Sequence, residues 1–272
     1  MFFKKRKSNK LNNPFLIDDK EELISELIEM YYDGNEHMRL YTAFQITPNE
    51  VISIFEDRRK FPFQPSVKCT VSSDQLNDTS SNISIIELDL AHSQGYRLFL
   101  SVIKPYRENL SSLDMQVFDK LNSIAQNTIS STNAPINRAK RIHDYLIDTS
   151  EYDFDNLINN SIPAVSYTPY GLIFNNKAVC QAYAETYMVL MTILGIECHI
   201  VIGRLLSSSQ FSSDVHAWNI IKIDGKYGHV DVTSDNPCPK SLGKPSSKYF
   251  FVNDDYLDRT HSWAINQYPL CY

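Results

Sequence analysis

Three side chains in this sequence have the types and settings that thiol chemistry requires. Cys180 opens the stretch CQAYAETYMVLMTILG, around which Val179, Tyr183, Thr186, Tyr187, Leu190 and Leu194 recur at steps of three and four. That spacing predicts an amphipathic helix stopped at Gly195. A cysteine in the first turn of a helix meets unpaired backbone N–H groups and the positive end of the dipole, which bias it toward the nucleophilic thiolate. An activated thiol also needs an imidazole to take its proton and a carboxylate to orient the imidazole. His216 and Asp231 are the candidates. Taken singly, each residue has an ordinary explanation: Cys180 as a small buried hydrophobe, His216 as a hydrogen-bonded strand histidine, Asp231 as a charge at a strand end. What separates the two readings is whether the chain brings the three together.

The elements that must position them begin with a hairpin. HAWNIIKI (216–223) and KYGHVDVTS (226–234) flank Asp224-Gly225, a strong two-residue turn signal. Such a turn sets the register, so Ile223 faces Lys226, Trp218 faces Asp231 and His216 faces Thr233. Asp231 then lies diagonally across from His216 on one face, roughly 7–8 Å away at the backbone, a gap that an imidazole and a carboxylate can span. His229 shares this face and is the rival base. The opposite face holds Ala217, Ile221, Ile223, Val230 and Val232. The hairpin is therefore expected to anchor one face in a core and present the other, and a slip of one residue would exchange the two.

Upstream, DDKEELISELIEMYYDG (18–34) reads as a helix closed by Gly34, and TPNEVISIFEDRR (47–59) opens with a Thr47/Glu50 capping box. A loop holding Pro62 and Pro65 follows. NISIIELDL (82–90) and GYRLFLSVI (95–103) are expected to pair as strands across AHSQ. Helices are expected over 112–129 and 135–148, and a polar loop with Pro163 and Pro169 leads to the Cys180 helix. Strands follow at 196–206, 216–223, 226–234 and 248–252. Helices that largely precede antiparallel strands indicate an α+β fold. The expected organisation is a mobile basic tail (1–17), an N-terminal α/β extension with helices and a β-hairpin (18–107), and a catalytic domain (108–272). The loops at 154–170 and 207–213 are positioned to flank the site.

Composition narrows the function classes. The formal charge of −6 gives no general reason to expect nucleic-acid binding, and the one basic run, KKRK at 4–7, lies in a polar N-terminal stretch. No signal peptide and no run long enough to span a bilayer is visible, so a soluble, by default cytoplasmic, protein with no membrane partner is expected. The five cysteines are odd in number and contain no C-x-x-C pair, which indicates neither a disulfide framework nor a zinc site. Cys198 and His199 point to opposite faces of an extended strand. No metal and no cofactor is expected.

AVCQAYAETYMVLMTILGIECHIVIG, followed by VHAWNIIKIDGKYGHVDVTSD, resembles the core of the bacterial transglutaminase-like proteins, members of the papain-like cysteine enzymes. The family's pattern is a V-C-x-G-Y-A helix start, a G-I-x-x-x-x-V-x-G exit, then H-A-W-N and H-V-D-x-T. RIHDYLIDTSEYD (141–153) and KYFFVNDDYLDRTHSW (248–263) extend the likeness, which spans about 135 to 263. The resemblance implies a papain-like α+β core, Cys180 as nucleophile, His216 as base and Asp231 as orienting acid. It implies acyl transfer or hydrolysis at amides of a protein or peptide substrate through a thioester. Trp218 would shield the His–Asp bond, and the Cys180 N–H is a natural oxyanion donor. The second donor stays open among Gln181, Asn175 and Asn176. The resemblance places His229 as a structural partner. Two positions depart from the pattern: Ala182 stands for the usual glycine, and Ser234 for the tryptophan of T-W-D. No D-x-D-x-D-G calcium loop is present. The alternatives are a non-catalytic peptide- or protein-binding module on the same fold, and a regulatory protein with a redox-sensitive Cys180. Oligomeric state is left open.

Overall fold

The computed structural model describes residues 16–75, 82–104, 110–206, 215–237 and 243–272, so the basic run and the serine-rich 207–213 segment lie outside the described residues. The chain forms two compact units, Met1–Ile54 with Val67–Leu90, and Phe55–Ser66 with Ala91–Tyr272. No helix among the described residues is long and apolar enough to cross a membrane.

The first unit contains β1 (Leu16–Ile17), α1 (Lys20–Asp33), β2 (His37–Thr42), α2 (Pro48–Ile54), β3 (Ser66–Gln75) and β4 (Asn82–Ala91). Asp19 caps α1 by accepting from the Glu22 N–H, and Leu23, Leu27, Met30 and Tyr31 form its buried stripe, as the spacing predicts. Thr47 and Glu50 make the capping box that starts α2. The sheet order is β1-β2-β4-β3, with β2 and β4 antiparallel from His37↔Asp89 to Thr42↔Ser84. The partners of β4 are thus β2 and β3, neither of them among the strands expected from the sequence.

The segment expected as the second strand of that hairpin is instead a helix, α3 (Gln94–Ile103), in the second unit. Tyr96, Leu98, Leu100 and Val102 do alternate like a strand. The Ser93 side chain, however, accepts from the Tyr96 N–H and starts a helix that buries Tyr96, Leu98 and Phe99. Tertiary packing on a neighbouring helix overrides an ambiguous local pattern.

The second unit continues with α4 (Ser112–Ser131), α5 (Pro135–Thr149), β5 (Glu151–Tyr152), α6 (Phe154–Ile158), α7 (Pro169–Phe174), β6 (Lys177–Ala178) and α8 (Cys180–Ile193). The stretch expected as a polar loop is therefore built from two short helices and a 3-10 turn at Ala164–Tyr167. Helices α3, α4, α5 and α7 all pack on α8. Every residue of α8 from Ala182 to Met191 is buried, so it is a central helix rather than the amphipathic one that its spacing predicts.

Then come β7 (Cys198–Leu205), β8 (His216–Ile223), β9 (Lys226–Val230), α9 (Val232–Asp235), β10 (Phe250–Val252), α10 (Asp254–Leu257) and β11 (His261–Trp263). The sheet order is β10-β9-β8-β7-β11, with every described pairing antiparallel. The expected α+β architecture, with a cysteine-bearing helix on an antiparallel sheet, is the one observed. Asp224 and Gly225 both adopt left-handed backbone (φ 49° and 81°), as a two-residue hairpin turn requires. The ladder runs from Ile223↔Lys226 to Asn219↔Val230, the register that the turn implies.

The expected division into one anchored and one open face does not hold. On one side, helix α8 packs on β7 and β8, and the Asn219 amide donates to the Ala184 carbonyl at 3.0 Å. On the other, Val201, Trp218 and Ile220 are buried with Leu257, Tyr268 and Cys271 from the C-terminal segment. The face that carries His216, Trp218, His229 and Asp231 is thus roofed, and its polar groups must find partners inside the protein.

Candidate active site

Cys180 is the first residue of α8, held there by the strand pairing of Lys177–Ala178 with Glu151–Tyr152. His216 is the first residue of β8 and sits at the end of the sheet. Asp231 follows the last ladder pair of β9. Instead of continuing the strand, it caps α9 by accepting from the Ser234 N–H at 3.0 Å. The sequence places Thr233 and Ser234 in the same strand, but they turn back as the helix that this cap starts. Aspartate is among the preferred residues at such a helix start, where its carboxylate accepts a backbone N–H of the first turn.

The three side chains meet. His216 Nε2–H donates to Asp231 Oδ2 at 2.7 Å, and the Cys180 thiol lies near enough to the imidazole for each to shift the other's pKa. With Nε2 committed to the carboxylate, Nδ1 is the ring nitrogen left for sulfur. Asp231 is fully buried, and burial alone would raise its pKa. The charge and hydrogen bond of His216, and then His261, hold it well below the usual carboxylate range. Burial would likewise lower His216, yet Asp231, followed by Cys180, carries it up to about 10. For half-buried Cys180, burial pushes the thiol up, while His216 and the Ala217 N–H outweigh it and lower the pKa. Both shifts, the thiol's downward and the imidazole's upward, favour the charged forms. The other described cysteines differ. Burial pushes the thiols of Cys69, Cys198 and Cys271 upward.

Trp218 lies beside this group, its ring stacked on that of His216 at 5.7 Å between centroids and 23° between planes. Gln181 is exposed, and its carboxamide nitrogen donates to Glu185 Oε1 at 3.0 Å, which ties it along α8. Asn175 ends α7, while Asn176 has φ 55° and its carbonyl accepts from the Glu151 N–H. His229 does not join the thiol: its Nδ1 accepts from the Trp218 indole and its Nε2 donates to Asp254.

Two residues escaped the sequence reading. His261, from β11, places Nε2 at 2.9 Å from the same Asp231 Oδ2, so two imidazoles share one carboxylate oxygen. It lies 30 residues downstream of Asp231, on a strand whose pairing with β7 no turn signal announces. Gly203, which pairs with His216 on one side and Trp263 on the other, makes room for this meeting. A Cβ there would sit 2.5 Å from the Trp218 ring and 2.3 Å from the Ser262 carbonyl oxygen. The second residue is Glu185, a turn beyond Gln181. Burial raises its carboxyl to about 7 although Gln181, Ser93 and the Gly95 N–H all hydrogen-bond to it. A surface groove of about 490 Å³ lined by Ile124, Arg141 and Tyr145, among others, contains none of these residues.

The fold is a mixed helix-and-sheet one in which a helix beginning at Cys180 packs on an antiparallel sheet. Residues 122–232 match the model of the transglutaminase-like superfamily, and the chain carries a transglutaminase-like domain. Two curated relatives are both kyphoscoliosis peptidases. The mouse protein is 22% identical over 176 residues, or 57% of this chain and 26% of that protein. The human protein is 22% identical over 169 residues, or 55% of this chain and 25% of that protein. The matched region thus spans about a quarter of the length of either relative. Among solved structures, one described as a TGase aligns with a TM-score of 0.41 and 16% identity, over 86% of this chain and 62% of the other.

Proposed function

We propose that the chain is a cysteine-dependent acyltransferase or hydrolase acting on amides of protein or peptide substrates, with Cys180 as nucleophile, His216 as proton carrier and Asp231 as its orienting acid. The observation that carries this reading is the grouping of Cys180, His216 and Asp231, in which His216 is hydrogen-bonded to Asp231 at 2.7 Å, the thiol pKa is lowered beside His216 and the imidazole pKa is raised to about 10. Cys180 Sγ attacks the amide carbonyl carbon, and the oxygen takes the negative charge. The backbone N–H of Cys180, in the first turn of α8, is suited to receive that oxyanion. His216 passes its Nδ1 proton to the departing amine, the C–N bond breaks, and a thioester remains. An incoming amine or water then gives a proton back to His216 and attacks the thioester. Loss of the thiolate closes the cycle. Asp231 stays ionised throughout and fixes the ring so that Nδ1 faces sulfur. Trp218, stacked on His216, keeps water from the His–Asp bond, and Gln181 acts indirectly, through its link to Glu185. The curated relatives' name, peptidase, supports water as acceptor, and the family's name supports an amine.

The test is iodoacetamide alkylation of each cysteine from pH 5 to 9, read by mass spectrometry, in the wild type and His216→Ala. Cys180 is expected to react fast near pH 6 and to lose that advantage without His216, while Cys69, Cys198 and Cys271 stay slow. A Cys180 that reacts no faster than Cys69 would overturn the proposal. Glutamine-containing peptides offered with and without a primary amine then separate transfer from hydrolysis.

A further inference from the structure

We infer that His229 and Asp254 are positioning residues for His216 that act through the indole of Trp218, an inference that rests on the thiol chemistry proposed above. Trp218 Nε1–H can only donate, and it lies 3.0 Å from His229 Nδ1. Nδ1 must therefore accept, so the ring proton is on Nε2, which donates to Asp254 Oδ1 at 2.8 Å. Asp254 is itself fixed from two sides: its Oδ2 accepts from the Cys271 N–H and its own N–H donates to the Cys271 carbonyl, both at 3.1 Å. Burial holds His229 down at about 4 against the pull of Asp254, with His261 and Asp231 also acting on it. The ring is therefore neutral across the neutral range, and the tautomer is single. That tautomer also argues against a cation among His229, Asp254 and Cys271, because a metal on Nε2 would turn Nδ1 into a donor facing the indole donor.

The indole so tethered forms a plate. One ring contact is the stack on His216; His261 and Trp263 meet it edge-on at 5.0 Å and 5.9 Å. Gly203 leaves the floor on which it rests. Such a plate excludes water from the side of the Asp231 Oδ2 bonds, and in a drier setting the charge of Asp231 acts on His216 more strongly. The charged and titratable groups that face His216 are Cys180 from α8, Asp231 at the start of α9 and His261 from β11. Release of the indole N–H would let water into this group. Burial, which by itself lowers His216 and raises Cys180, would ease, but the screened pull of Asp231 on His216 and of His216 on Cys180 would lose more, so that His216 falls and Cys180 rises.

The experiment compares wild type, His229→Leu and His229→Asn, reading the His216 ring titration by NMR and the pH profile of Cys180 alkylation. Leucine cannot accept from the indole, whereas the asparagine carbonyl oxygen occupies nearly the place of Nδ1. His229→Leu is expected to move the His216 titration down by about one unit and to slow Cys180 alkylation at pH 6 by about tenfold. His229→Asn is expected to restore most of both. An unchanged titration in His229→Leu, or an asparagine variant as impaired as leucine, would overturn the inference and leave His229 as packing. If His229→Leu does not fold, Trp218→Phe deletes the donor and keeps a ring; an unmoved His216 titration there overturns the inference equally. A wild-type Cys180 that alkylates like Cys69 sinks the nucleophile assignment instead, and the His216 titration still decides the tether.

Discussion

Asp231→Asn should disarm Cys180 while leaving the fold in place, and the hydrogen-bond pattern says how. Oδ1 accepts from the Ser234 N–H at 3.0 Å and from Thr233 Oγ1 at 2.7 Å. The backbone donor requires an oxygen at that position, so the new carboxamide nitrogen must take the place of Oδ2. There it faces His216 Nε2 at 2.7 Å and His261 Nε2 at 2.9 Å. As a donor it forces His216 Nε2 to accept, which moves the ring proton to Nδ1, facing sulfur. A neutral ring in that tautomer cannot take the thiol proton. The charge that carries His216 to about 10 is gone as well, and burial then takes the imidazole below its ordinary 6.5. That fall of more than about three units corresponds to roughly 4 kcal/mol between the protonation states. Loss of the right tautomer and charge should cost on the order of 10³–10⁴ in turnover.

The pair also has a signature in stability. A histidine raised on folding contributes fully below its unfolded value of 6.5, and that contribution is lost as pH rises through about 10. Asp231, depressed on folding, contributes above 3.8 and loses this as pH falls through its lower folded value. The wild type should therefore exceed Asp231→Asn most between about pH 4 and 6.5, with the gap closing toward pH 10. Iodoacetamide kinetics on Cys180, with urea unfolding at pH 5.5 and 10, measures both. A cooperatively folded Asp231→Asn that alkylates within about threefold of wild type at pH 6 would refute the reasoning.

Glu185 is raised from 4.5 to about 7, so its folded form holds a proton that the unfolded chain has lost, and stability falls as pH rises across that interval. Glu185→Gln removes this dependence and should gain up to about 3 kcal/mol on wild type between pH 4.5 and 8; a difference that is flat with pH would discount the buried charge. Gly203→Ala puts a methyl against the Trp218 ring and the Ser262 carbonyl. It should cost about 1–3 kcal/mol in thermal unfolding and lower Cys180 reactivity with it. An alanine variant that melts and alkylates like wild type would show that β11 and Trp218 yield freely.

The line from Cys180 to Asp231 was largely legible in the sequence because each of its parts is encoded locally. A helix start biases the thiol within one turn, and Asp224-Gly225 favours one hairpin register, which brings Asp231 diagonally across from His216 on one face. Tertiary structure decided what local pattern leaves degenerate. Residues 95–103 alternate like a strand and become α3 because a buried neighbour, α8, offers a helix-shaped partner. The spacing around Cys180 marks one apolar face, yet packing from several sides buries α8 all round from Ala182 to Met191. The hairpin's polar face is roofed by Leu257, Tyr268 and Cys271, residues far along the chain. His261 reaches Asp231 only because β11 pairs with β7 across Gly203. A contact between residues distant in sequence depends on which surfaces meet, and that depends on the burial of the whole core rather than on any stretch of it.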